Sequence, residues 1–197
     1  MTCLLDVTLT GYATRQDAAY WKIVSRCLEG ELLIRRGTFM SGTALLSNAL
    51  DNCVKTGWAV CYPAFRGVLL AEGLAGLGRI GESLFAVEQG LAAAERGGER
   101  WSVAELLRIK AESLLKEADD CSEPEAEDCF ARALDVARQQ GALLWGLRAA
   151  MGLARLRVRQ GRPDEARRIF APVYVRFTEG FETPDLKAAQ RLLATWD

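Results

Sequence analysis

The sequence predicts an all-α protein: a right-handed superhelical array of about four antiparallel helix pairs, with a capping helix at its C-terminus. The first observation is a triplet of mostly small or apolar residues that recurs at intervals of 41, 43 and 40 residues. Within each triplet the residues are four and then three apart, which places them on one face of a helix. The four copies are Gly42/Leu46/Ala49, Ser83/Val87/Gly90, Ala126/Phe130/Ala133 and Ala166/Phe170/Val173.

A second pattern predicts a partner helix in every repeat. Before each triplet, a small residue is followed by a polar one: Gly30-Glu31, Ala71-Glu72, Ala111-Glu112 and Ala154-Arg155. A pair of helices cannot bury its apolar faces alone, so successive pairs must stack on one another and form an extended concave surface. Arrays of this kind bind other molecules and rarely catalyse reactions.

Each element can be placed in order along the chain. The predicted helix pairs are 17–36 with 39–56, 58–77 with 80–97, 101–118 with 123–140, and 143–160 with 163–178. Gly37, Gly78 and Gly161 lie between the helices of a pair, where a left-handed backbone conformation is needed. A last helix at 184–195 begins after Thr183 and is expected to cover the end of the array. Residues 1–16 are predicted to be an N-terminal arm or linker remnant, and residues 17–197 one repeat domain.

Composition restricts the partners and the compartment. The formal net charge is −1, which gives no indication of direct binding to nucleic acid or to an anionic membrane. No apolar run approaches the roughly 20 residues of a membrane span, and the N-terminus lacks the pattern of a signal peptide. The six cysteines show no C-x-x-C spacing and are predicted to be reduced core residues. We therefore expect a cytoplasmic protein.

The chain contains no histidine, which excludes serine–histidine and cysteine–histidine catalysis. The segment 76–81 matches the G-x-G-x-x-G fingerprint, but it follows a predicted helix where a dinucleotide site needs a strand. The acidic run 117–128 lacks the spacing of a calcium loop and lies at a predicted helix start, where acids favour the helix dipole. The sequence therefore predicts no enzymatic activity, no cofactor and no metal site.

Arginines are concentrated near the C-terminus. Residues 142–177 hold eight arginines and two acids, a net charge of +6. One interpretation is a solvated face on which arginine stems cover apolar surface. The other is a basic end to a binding groove that engages an acidic partner or a phosphate.

The repeats resemble the tetratricopeptide family, whose A-x3-F-x2-A motif occurs at Ala126/Phe130/Ala133 and nearly so at Ala166/Phe170/Val173. Residues 20–197 also resemble the C-terminal repeat region of large bacterial signalling ATPases and cyclases, most specifically over the last 30 or so residues. In those proteins the repeats are the sensor and protein-contact region. The resemblance thus implies an interaction domain and lends this chain no ATPase, cyclase or DNA-binding activity.

In tetratricopeptide arrays the first helix of each pair lines the groove. Carried over by phase, the resemblance implies a partner-binding groove built from Glu31, Phe65, Glu72, Glu105, Arg108, Glu112, Arg148, Arg155 and Arg159, with Arg35 and Lys116 beside them. Alternatively, Arg108 and Glu112, which are four residues apart, simply pair on the helix surface.

The leading hypothesis is a non-enzymatic scaffold that binds a peptide or protein segment in bacterial signalling or transcriptional control. Two alternatives stay open: a sensor of a small anionic ligand, and a module for self-association into a homodimer.

Overall fold

The computed structural model describes residues 19–55, 63–98, 100–117 and 122–195. These residues form nine α-helices and one turn of 3₁₀ helix, Arg100–Ser102, and none of them is in a strand. The predicted all-helical class is therefore confirmed for the described part of the chain. The predicted N-terminal arm, 1–16, lies outside the described residues, and so do residues 58–62 of the third predicted helix.

The helices follow the predicted order closely. Their bounds are α1 (Ala19–Arg35), α2 (Phe39–Lys55), α3 (Pro63–Gly76), α4 (Ile80–Gly97), α5 (Val103–Leu114), α6 (Ser122–Gln140), α7 (Leu143–Arg159), α8 (Pro163–Tyr174) and α9 (Pro184–Leu193). The turns between paired helices use Gly37, Gly78 and Gly161 with φ of 80°, 75° and 73°, as predicted.

Helix α8 ends at Tyr174, whereas the sequence predicts an end near residue 178. Pro172 lies inside its last turn and has no N–H to donate to the preceding turn. After Tyr174 the backbone forms turns with hydrogen bonds between residues three apart, such as the one from the Phe177 N–H to the Tyr174 carbonyl. This turn lets Phe177 pack against the core beside Phe170.

The chain divides into two compact units, Met1–Glu99 and Arg100–Asp197. In the first unit, α1 packs on α2, α3 packs on α4, and α2 contacts α3. Helices α1 and α2 approach closely at Gly30 and Gly42: a Cβ on Gly42 would lie 2.8 Å from the Gly30 carbonyl oxygen. Ile34 and Leu46 are buried in the adjoining core.

In the second unit, α5 packs on α6 and α7 on α8, while α7 also contacts α5 and α6. Helix α9 lies against α7 and α8, and its Leu186 and Ala189 are buried beside Leu147 and Phe170. Leu186 and Ala189 therefore form the face by which the last helix packs on the helices before it.

The recurring triplets are core positions. Eleven of the twelve residues are buried, and the twelfth, Val173, is half-buried. Ser83 is the polar exception in the pattern, and its hydroxyl donates a hydrogen bond of 2.8 Å to the Ala71 carbonyl of the partner helix. That bond satisfies a buried polar group. Among the described helices, none has the length and apolar character that a membrane span requires.

Candidate functional site

The small-then-polar pairs have the same phase in all four first helices. The small residue is buried against the partner helix, and the residue that follows is accessible. The buried members are Gly30, Ala71, Ala111 and Ala154, and the accessible ones are Glu31, Glu72, Glu112 and Arg155. Because consecutive residues on a helix are 100° apart, burying the small residue turns its neighbour away from the partner helix.

Five charged side chains in the second unit form a continuous chain of ion pairs, which runs from Glu112 through Arg108, Glu105 and Arg148 to Asp185. The Arg108 guanidinium lies 2.7 Å from Glu112 and donates to both Glu105 oxygens at 2.9 and 3.0 Å. Arg148 donates to Glu105 at 2.8 Å and to the two Asp185 oxygens at 3.0 and 2.9 Å. This series of ion pairs, which we call the ion chain, connects α5, α7 and α9.

The middle of this ion chain is buried and its ends are accessible. Side-chain exposure is 1% for Glu105, 6% for Arg108 and 13% for Arg148, against 40% for Glu112. Burial by itself raises the pKa of the Glu105 carboxyl, but Arg108 and Arg148 outweigh it and the net pKa is lowered. Burial opposes the charge of Arg148 too, yet Asp185 and Glu105 raise its pKa.

Three predicted groove residues are therefore bonded to one another. Glu105 and Arg148 join α5 to α7, and Arg148 joins α7 to α9 through Asp185. The Glu105 carboxylate is too buried to meet a partner from solvent. The alternative pairing of Arg108 with Glu112 is present, at 2.7 Å. Sequence reasoning missed Asp185, because it lies 80 residues from Glu105 and no periodic pattern relates the two.

A groove remains open between α5 and α7, and we call it the α5–α7 groove. Its volume is about 400 Å³. Apolar side chains form much of its lining, with cationic groups beside them. The lining residues are Glu112, Leu115, Lys116, Phe130, Gly152, Arg155, Leu156 and Arg159.

The groove depends on a close approach between α6 and α7. The Phe130 ring, fully buried, packs directly over Gly152: a Cβ there would lie 2.3 Å from the ring carbon Cε1. Only glycine leaves room for the ring at this depth.

Four of the eight arginines of the basic segment pair with acids: Arg148, Arg157, Arg159 and Arg162. Arg157 bonds Glu127, and Arg159 lies 3.4 Å from Glu123. Both acids belong to the run 117–128, which was predicted to be a solvated helix start. Glu125, also in that run, pairs with Lys110 at 3.0 Å. Glu123, Glu125 and Glu127 thus connect α6 to its neighbours, whereas Asp128 pairs with Arg132 within α6.

Two other arginines of this segment make no ion pair and no hydrogen bond with the described residues. They are Arg155 and Arg176, and both are exposed. Arg155 lines the α5–α7 groove, together with Lys116 and Arg159. The one acid that lines the groove, Glu112, pairs with Arg108, and Arg159 lies 3.4 Å from Glu123. Arg155 therefore keeps a positive charge with which no acid among the described residues pairs.

The first unit holds the remaining predicted groove residues. Glu31 pairs with Arg35 at 2.9 Å, and Glu72 is half-buried on α3. The side chain of Phe65 lies outside the described residues. That Glu31 and Glu72 share one surface with Glu112 and Arg155 stays a prediction.

The described residues contain no group of three or more histidine, cysteine or acidic side chains placed to hold a metal ion. Cys129 is buried, and its burial raises the pKa of the thiol. No protein-family model, curated protein or solved structure matches this chain.

Proposed function

We propose that this chain is a tetratricopeptide-like helical scaffold without enzymatic activity, and that its α5–α7 groove binds an acidic peptide segment. The observation that carries the proposal is Arg155, an exposed guanidinium at the groove with no acidic partner among the described residues. A guanidinium forms paired hydrogen bonds with a carboxylate, so an acidic side chain or a chain terminus suits it.

The shape of the groove supports a peptide occupant. A volume of about 400 Å³ lies within the range of ligand pockets but leaves space for only a few side chains. Leu115 is half-buried and supplies accessible apolar surface next to the cations, whereas Phe130 and Leu156 line the groove but are fully buried. An acidic residue followed by an apolar one would satisfy both parts of the lining.

The sequence resemblance supports the biological setting. We place the chain among bacterial proteins of signalling or transcriptional control, where stacked helix pairs form a solenoid that contacts other proteins. In that setting the ion chain through Glu105 fixes the relative positions of α5, α7 and α9, while Arg155 remains available to the partner.

A direct test uses two fluorescein-labelled 12-residue peptides, one alternating Glu with Leu and the other Lys with Leu. Fluorescence anisotropy is measured at low and at physiological salt with the wild-type chain, with Arg155→Glu and with Arg191→Glu. Arg191 is a matched control, because it is an exposed arginine on α9 that does not line the groove.

We expect the acidic peptide to bind the wild type, roughly tenfold weakening with Arg155→Glu, and no change with Arg191→Glu. Equal binding to wild type and Arg155→Glu would overturn the groove assignment. Binding of neither peptide, with thermal stabilisation by inorganic phosphate that Arg155→Glu abolishes, would replace the scaffold with a small-anion sensor. A concentration-dependent mass in sedimentation, with no peptide bound, would instead show self-association.

A further inference from the structure

We propose that a second surface, the α6–α8 groove, binds an amphipathic helix that carries acidic residues beside its apolar stripe. This surface is separate from the α5–α7 groove and shares no lining residue with it. It is therefore a second binding site on the same unit.

Helices α6 and α8 both pack on α7 and leave a groove of about 500 Å³ between them. Leu143, Gly146 and Leu153 of α7 line it from below. A groove of this size takes the side chains of a helix that lies along its mouth.

The two walls present the same helical spacing. Helix α6 contributes Ala131, Leu134, Asp135 and Arg138, which stand at i, i+3, i+4 and i+7. Helix α8 contributes Ile169, Pro172 and Val173, and Arg176 follows at the same spacing in the turn after the helix. The lining is therefore continuous over about two turns on the α6 side and over one helical turn plus the following turn on the α8 side.

Apolar atoms are accessible along this groove. Pro172 is exposed, and Leu134, Ile169 and Leu143 are only half-buried. Phe170, also a residue of α8, is in contrast fully buried. Leaving aliphatic side chains partly in water is unfavourable, and a partner's apolar stripe would remove that cost. A helix laid in a groove in this way anchors itself through residues at i, i+3, i+4 and i+7.

The charged residues at the rim of the α6–α8 groove indicate which charge the partner carries beside its apolar stripe. Arg176 has no ion-pair partner among the described residues, and Arg168 bonds only a backbone carbonyl, that of Asp164, at 3.2 Å. Arg138 is paired with Asp135 at 2.7 Å. Both arginines lie on the α8 side of the groove, and Glu165 offsets part of the charge of Arg168. The remaining positive charge favours acidic residues on the side of the partner's apolar stripe that faces α8.

The probe is a fluorescein-labelled 18-residue helix with Leu at i, i+3, i+4 and i+7 and Glu on the flanks; its control carries Lys in place of Glu. Anisotropy is measured with the wild type, an Arg168→Glu/Arg176→Glu double variant, Pro172→Glu and Arg155→Glu. Pro172→Glu keeps the fold testable, because replacing a proline inside a helix restores a backbone donor. Far-UV circular dichroism checks the helix content of each variant.

We expect the acidic helix to bind the wild type and the Arg155→Glu variant alike, with at least about tenfold loss in the double variant and in Pro172→Glu. Equal binding to all four proteins, or preference for the Lys helix, would overturn the proposal. Vesicles containing phosphatidylserine serve as a further arm: sedimentation with them, lost in the double variant and without helix binding, would reassign the surface to a membrane. Arg155→Glu abolishing helix binding would assign the helix to the α5–α7 groove and also overturn it.

Discussion

Replacing Glu105 with Gln tests the buried ion chain that organises the second unit. The substitution keeps the size of the side chain and removes its charge, while Arg108 and Arg148 remain at 6% and 13% exposure. Removing one partner of a buried ion pair costs about 3–5 kcal/mol. Because Arg108 keeps Glu112 and Arg148 keeps Asp185, we expect the lower end of that range, about 3 kcal/mol.

Urea unfolding followed by tryptophan fluorescence measures this loss. The rings of Trp101 and Trp145 are stacked at 5.7 Å in the second unit, so their emission reports on its unfolding. With a urea dependence of about 2 kcal/mol per molar, a loss of about 3 kcal/mol lowers the midpoint by roughly 1.5 M. Circular dichroism before unfolding confirms that the variant is folded.

The matched control is Asp135→Asn. Asp135 and Arg138 are three residues apart, as Glu105 and Arg108 are, but their side chains are 59% and 74% exposed. An exposed pair of this kind contributes no more than about 0.5 kcal/mol. If Glu105→Gln shifted the midpoint no further than Asp135→Asn does, the reasoning from burial would be refuted.

Three further predictions concern the same unit. Gly152→Ala forces a Cβ against the Phe130 ring and is expected to lower the free energy of unfolding by about 1–3 kcal/mol. Gly146→Ala on the same helix, whose Cβ would have its nearest contact at 3.6 Å, should raise that free energy slightly. Urea midpoints compare the two variants, and equal effects would contradict the close approach. Folding lowers the pKa of Glu105, so the contribution of its charge to stability is full above about pH 4.3 and is lost as the pH falls towards the pKa of the folded protein. The difference in unfolding free energy between wild type and Glu105→Gln should therefore narrow below about pH 4.3. A difference that stays constant with pH would contradict this prediction. Asp185→Asn removes the charge that ties α9 to α7, and amide hydrogen exchange in α9 should accelerate about tenfold while α5 is unchanged; uniform exchange across both helices would show no specific tether.

The positions of the helices could be predicted because burial follows a regular period. The triplet residues and the small residues of the first helices repeat at helical spacing, and the core needs them on one face. Helix α7 was predicted at 143–160 and occupies Leu143–Arg159. The end of α8 was not predicted, since it depends on Pro172 and on where Phe177 packs.

The site could be predicted only in part. Arg155 follows from the phase of its helix, but the partners of Glu105 depend on contacts between α5, α7 and α9. Asp185 carries no signal in its own segment beyond its place at a helix start. The acids of α6 were predicted to face solvent, and Glu127 instead bonds Arg157 of α7. Local periodicity contains no information about such pairs.

Chemical-shift mapping with the alternating Glu–Leu peptide tests the central claim most directly. Amide spectra of ¹⁵N-labelled wild type are recorded as the peptide is added, with Arg155→Glu as the control protein. We predict shifts concentrated at residues 112–116 of the second unit and 152–159 of α7, and their absence in Arg155→Glu. Shifts confined to other helices, or the same shifts in both proteins, would contradict the assignment of the α5–α7 groove as the peptide-binding site.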